Sequence, residues 1–201
     1  MGPEVKTSPR LAEAFAYAEL IHRGQLRKKT LAPALSHLMA VTSLVLENGG
    51  DEDEAMAALL HDGPEDCAGQ ETLDEIRQRF GVRVAHIVEG CTDSMSTPKP
   101  PWRERKSRYI AHLPTADESI LLVSLADKVH NVRSLEVDYR SVGEDLWQRF
   151  SASRDESLWY YRSLLRVFEE TPSARQVVLV RELSRALQEL QRLISDTESR
   201  T

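Results

Sequence analysis

His61 and Asp62 stand side by side at the end of the apolar run Ala55-Met56-Ala57-Ala58-Leu59-Leu60, an imidazole and a carboxylate delivered together where a helix leaves the core. Such a pair can cap the helix end or hold a metal ion. Two more positions offer donors of the same kind: His37, after Pro33-Ala34-Leu35-Ser36, and Asp127, inside Ser124-Leu125-Ala126-Asp127-Lys128-Val129-His130-Asn131. Asp127 is the sharper case. Leu121, Leu122, Val123, Leu125, Ala126, Val129 and Val132 make its helix almost wholly apolar, and an unpaired carboxylate buried there is costly unless a cation offsets it. Lys128 and Arg133 are the ordinary candidates for a salt bridge, but neighbours on a helix point about 100° apart, which makes Lys128 a poor partner. Ser124 and Asn131 fall on the same helix face as Asp127 and form a polar stripe aimed at a site. Counted together, His37, His61, Asp62 and Asp127 read as metal ligands.

Those donors need helices to position them, and the chain supplies an all-α pattern with no competing strand alternation. The spacing predicts helices over residues 9–21, 35–48, from an Asp51 or Asp53 cap to the His-Asp pair, then over 72–80, 82–90, 102–112, 116–137, 145–169 and 173–195. Ser8 before Pro9 reads as an N-cap, Thr72 with Glu75 as a capping box, and Gly63-Pro64 as a break. Residues 92–101, with Pro98, Pro100 and Pro101, form a polar loop. His130 falls among the donors, yet its side chain is expected to turn away from the Asp127–Asn131 face.

At 201 residues and a formal net charge of −6, the chain suits one well-buried domain and does not suit an extended nucleic-acid binder. No apolar run reaches membrane-span length and no signal sequence opens the chain, so the cytoplasm is the default compartment. Cys67 and Cys91 have no partner at a zinc or redox spacing and are expected to pack as small residues. Two basic segments, one from His22 to Lys29 and one holding Lys99, Arg103, Arg105, Lys106 and Arg108, are compatible with a small anionic ligand, and His22 is placed to approach its phosphate. The stripe Val177, Val180, Leu183, Leu187, Leu190 and Ile194 reads as packing onto the chain's own core, with a homodimer contact left open.

His37, His61-Asp62 and Asp127, in that order on an all-α chain, resemble the HD-domain phosphohydrolases. The blocks His22-Arg23-Gly24-Gln25-Leu26-Arg27-Lys28, Ala57 to Asp66, Phe80-Gly81, Cys91-Thr92-Asp93 and Leu125 to Arg133 are similar to the hydrolase domain of RelA/SpoT-type proteins, in particular the small alarmone hydrolases. The resemblance spans about residues 15–168, with 173–195 as a packing helix of one domain covering 1–201. It implies removal of the 3′-pyrophosphate of (p)ppGpp with one Mn²⁺ ion per chain, held by His37, His61, Asp62 and Asp127. It further implies Glu65 and Asp66 as the acids beside the metal, Arg27 and Lys28 at the nucleotide, Asn131 on the ribose side, and Lys99, Arg103, Arg105 and Lys106 toward the far phosphates. Mixed imidazole and carboxylate ligands suit an open octahedral ion such as Mn²⁺.

The chain departs from that pattern at Pro33-Ala34-Leu35-Ser36, where the family carries an aromatic residue, at Gly63-Pro64, and at Ser157-Leu158-Trp159-Tyr160-Tyr161. Two rival expectations stand beside the first: a phosphohydrolase of the same family acting on NADPH, ppApp or a nucleoside monophosphate, and a sensor that binds an alarmone without cleaving it. Glu65, Asp66 and the four donors weigh against the sensor.

Overall fold

A computed structural model describes residues 8–27, 31–170, 173 and 175–199, and within them every regular element is a helix. The first helix, α1 (Pro9–Ile21), starts where expected: the Ser8 side chain accepts from the Arg10 amide and Pro9 occupies the first turn. An isolated antiparallel bridge then pairs Leu26 with Pro33, just ahead of the next helix. Helices α2 (Ala34–Glu47) and α3 (Glu52–Leu60) form a hairpin. Asp51 caps α3 in a reciprocal capping box with Glu54.

After the short α4 (Gly63–Asp66) come α5 (Gln70–Phe80), α6 (Val82–Cys91) and α7 (Trp102–His112), the last preceded by the irregular segment 92–101. Thr72 does not cap α5. The helix begins two residues before it, and its hydroxyl accepts instead from the Ala68 amide at 3.1 Å.

The axis of the fold is α8 (Glu118–Val142), capped by Asp117 and packed against α2, α3, α6 and α10. It runs past the expected end at residue 137 because the first residue able to stop it is Gly143, at φ +58°. α6 approaches so closely that a Cβ on Gly90 would lie 2.4 Å from Ile120 Cδ1.

The expected helix over 145–169 is divided into a 3₁₀ turn (Gly143–Arg149) and α9 (Arg154–Glu170). The break is a second capping box: the Ser153 amide donates to Glu156 Oε2 at 2.9 Å, and the Glu156 amide donates to Ser153 Oγ at 3.3 Å. α10 (Val177–Glu198) lays Leu179, Leu183, Leu187, Leu190 and Ile194 inward, chiefly on α8, so the apolar stripe is spent within the chain. Its start is tied to α3 by Arg175, which donates to the fully buried Glu54 carboxylate at 3.0 and 3.2 Å. Cys67 is exposed and Cys91 partly buried; both are free thiols. No helix of the described residues is long and apolar enough to cross a membrane.

Candidate metal centre and cleft

Three helices converge to assemble the donors. His37 sits in the first turn of α2, His61 at the C-terminal cap of α3 with Asp62 next to it, and Asp127 in the middle of α8. One ligand atom from each of His37, His61 and Asp127 lies within 4.8 Å of the others, and all three residues are buried. His37 Nε2 is 3.2 Å from Asp127 Oδ1 and 3.5 Å from Asp62 Oδ2. His61 Nε2 is 3.2 Å from Asp62 Oδ1 and 3.8 Å from Asp127 Oδ1. Asp62 thus stands against both imidazoles.

The tautomers follow from the partners. His61 Nδ1 lies 2.8 Å from the Ala58 carbonyl, which can only accept, so Nδ1 carries a proton and Nε2 faces the carboxylates. That Nε2 is buried and makes no well-formed hydrogen bond, facing only the carboxylate oxygens of Asp62 and Asp127, an arrangement that a cation at the centre of the cluster would complete. Burial alone would lower the basicity of His61, yet the charges of Asp62 and Asp127 hold its pKa up at about 9. The cluster draws positive charge, and a metal ion would compete with a proton for the same place. Two imidazole nitrogens and two carboxylates fit a divalent ion.

His37 is oriented by a residue expected to point elsewhere. Its Nδ1 is 2.8 Å from His130 Nδ1, and Arg27 Nη1 is 3.1 Å from that same nitrogen. A guanidinium only donates, so His130 Nδ1 is the acceptor and His37 Nδ1 carries the proton, leaving Nε2 for the cluster. Burial, reinforced by the neighbouring His37 and the Arg27 guanidinium, pushes His130 down to about 4 and keeps it neutral as an acceptor. The expectation that His130 turns away fails because residues three and four along from Asp127 both share its side of α8.

Two other expectations are corrected here. Lys128 does reach its neighbour: its Nζ pairs with Asp127 Oδ2, the flexible stem folding back along the helix. Burial opposes ionisation of Asp127, but Lys128 first, and then His37 and His61, hold its carboxyl well below the usual range. Asn131 Nδ2 donates to Asp127 Oδ1 while its Oδ1 accepts from Arg27 Nη2 at 3.1 Å. Ser124 does not join this stripe; it is buried against Tyr109, whose hydroxyl lies 2.7 Å away, and Cys91.

From the cluster a cleft of about 490 Å³ runs along α8. Glu65 and Asp66, presented by α4, line it next to Asp62. Lys99 Nζ is 3.0 Å from Glu65 Oε1 and 4.0 Å from Asp66 Oδ1, and Arg105 Nη1 is 3.8 Å from Glu65. Arg105 and Lys106 are both held by the buried Asp93 carboxylate, and of the two Lys106 lines the cleft. Arg103 lies over the Trp159 ring, 3.2 Å from its centroid. His22 is buried with its Nδ1 2.7 Å from Gln25 Oε1, so it is a packed residue and not a phosphate contact. Lys28 falls outside the described residues.

The cleft also has aromatic walls that the motifs did not foretell. Trp102 and Tyr160 meet edge to face at 5.9 Å, and both line it with Tyr161, while Ala34 lines the side where an aromatic was expected. Their signal in the sequence was only the run Trp159-Tyr160-Tyr161 and a tryptophan opening α7.

Residues 14–157 match a family described as HD domain. The chain is 38% identical over 128 residues to the guanosine-3′,5′-bis(diphosphate) 3′-pyrophosphohydrolase MESH1 of Xenopus tropicalis, covering 62% of this chain and 69% of that one. A GTP pyrophosphokinase of Streptomyces antibioticus is 34% identical over 137 residues, 66% of this chain but 16% of the much longer relative. Among solved structures, one reported as a metazoan ortholog of SpoT that hydrolyzes ppGpp superposes with a TM-score of 0.75 at 25% identity, covering 95% of this chain and 99% of that one.

Proposed function

The chain belongs to the HD-domain family, and on that premise we propose that it is a Mn²⁺-dependent hydrolase, one ion per chain, that removes the 3′-pyrophosphate of (p)ppGpp to leave GDP or GTP. The observation that carries the reading is the convergence of His37, His61 and Asp127 on one point, at a cleft that the acids of α4 also line. The relatives named for this reaction support the substrate. In this reading residues 1–201 act as one domain, with α10 as the backing of α8.

His37, His61, Asp62 and Asp127 would hold the ion. When bound, it supplies Lewis acidity at a phosphoryl oxygen and lowers the pKa of water. The chain's own residues do the rest. Glu65 and Asp66 would take the proton of the attacking water, with Lys99 and Arg105 paired to Glu65. Water oxygen adds to the phosphorus on ribose O3′, the O3′–P bond breaks, and O3′ leaves with a proton as pyrophosphate departs. Arg27, already fixed by His130 and Asn131, and Lys106, at the cleft wall, present cations to the anionic nucleotide. Lys28 is assigned to the same end by its place in the motif.

Product analysis tests the reading: purified protein with Mn²⁺, against ppGpp, NADPH and nucleoside monophosphates, with a chelated control and Glu65→Gln alongside. Chelator-sensitive release of pyrophosphate from ppGpp, lost in Glu65→Gln while bound Mn²⁺ is retained, is the expected result. Orthophosphate from NADPH with ppGpp untouched overturns the substrate.

A further inference from the structure

The cleft extends well past the phosphate end. Asp127, Asn131, Ser134, Leu135 and Asp138 line it from one face of α8, and at about 1.5 Å of rise per residue Asp138 lies roughly 16 Å along the helix from Asp127. Between them is room for a ribose. At the far end Asp138 Oδ2 is 3.6 Å from Arg149 Nη1, an ion pair too long for a charge-assisted hydrogen bond, with side chains 34% and 24% exposed. Both ions therefore keep hydrogen-bonding capacity toward the cleft, and Phe150 lines it with them.

We propose that Asp138, together with Arg149, reads the substrate's base and selects guanine over adenine. The inference rests on the alarmone reading above and names the residues that set its purine. Guanine presents two adjacent donors, N1–H and the N2 amine, and a carboxylate accepts both; the O6 and N7 acceptors suit a guanidinium. Adenine turns a lone pair at N1 toward the same carboxylate and has no N2 amine, so one contact becomes repulsive and another is lost. A site built around a substrate donor rejects the analogue lacking it more strongly than an apolar pocket does.

The test is kcat/KM of the Mn²⁺-loaded full chain on ppGpp and ppApp, which share ribose, phosphates and leaving group, for the natural protein, Asp138→Asn and Asp138→Ala. The natural protein should prefer ppGpp. Asp138→Asn, which replaces one acceptor by a donor, should cut the ppGpp/ppApp ratio on the order of 10- to 100-fold, and Asp138→Ala should lower it mainly through ppGpp. Arg149→Gln should shift the ratio in the same direction and serves if the Asp138 variants fail to fold. A structural tie between α8 and the 3₁₀ turn would lower both substrates alike and leave the ratio fixed, which overturns the inference. Equal hydrolysis of both alarmones by the natural protein also overturns it but leaves the proposed function standing; hydrolysis of neither overturns both.

Discussion

Removing the His130 imidazole should weaken metal binding although that ring touches no ion. His130 Nδ1 accepts from His37 Nδ1 at 2.8 Å and from Arg27 at 3.1 Å. In His130→Ala the buried His37 N–H loses its acceptor, which costs about 1–3 kcal/mol for a desolvated donor. His37 then rotates or changes tautomer to recover a partner, and either movement takes Nε2 out of line. At about 1.4 kcal/mol per decade the loss corresponds to roughly 5- to 150-fold in Mn²⁺ affinity, the range expected for partners that orient metal ligands. His130→Asn, whose amide oxygen can still accept, should lose less. Arg27→Met is the contrasting variant: it removes the other donor to His130, so Mn²⁺ affinity should hold while KM for nucleotide rises. Calorimetric titration of the metal-free proteins with Mn²⁺ measures all three. An affinity for His130→Ala within twofold of the natural protein would sink the argument.

Asp127→Ala should abolish metal binding and destabilise the fold by about 3–5 kcal/mol, because it strands the buried Lys128 ammonium; adding Lys128→Met should restore the melting temperature without restoring the metal. Gly90→Ala should cost about 1–3 kcal/mol, since the new methyl meets the stiff, β-branched Ile120 at 2.4 Å, and in an Ile120→Ala background the same change should cost less in thermal melts. Asp93 is held below the usual carboxylate range, burial being outweighed by Lys106 and Arg105. Its contribution to stability is therefore complete above the unfolded carboxylate pKa, about 4, and is lost as pH falls through the lower folded value. Denaturant titrations of Asp93→Asn and the natural protein should differ at pH 7 and converge in acid; a constant gap would refute the linkage.

Much of this was legible in the sequence because local rules and tertiary packing agree. The start of α1, the cap of α3 and the start of α7 follow from Ser8-Pro9, an aspartate at the head of α3, and Pro101 before Trp102. The convergence of His37, His61 and Asp127 was legible too, since a charged residue inside an apolar helix such as that around Asp127 demands a partner. What escaped was set by side-chain reach and by competition between caps. Angular spacing on a helix wheel ignores the four-carbon stem that returns Lys128 to Asp127, and treating residue i+3 as off the face hid His130. Thr72 with Glu75 has the form of a capping box, but Gln70 had already begun the helix. Ending α8 at residue 137 also kept Asp138 out of sight, one residue beyond the expected limit and inside the cleft.

The Asp127–Lys128 pair bears on how the protein would stand without the proposed ion. In small zinc modules the ligands repel one another until metal arrives, so chelation unfolds the chain. Here the deeper of the two cluster carboxylates carries its own counter-charge on the adjacent residue, and a proton on His61 can balance Asp62. Removing the proposed ion would therefore leave a neutralised, folded interior, and the scaffold would stay assembled while metal came and went.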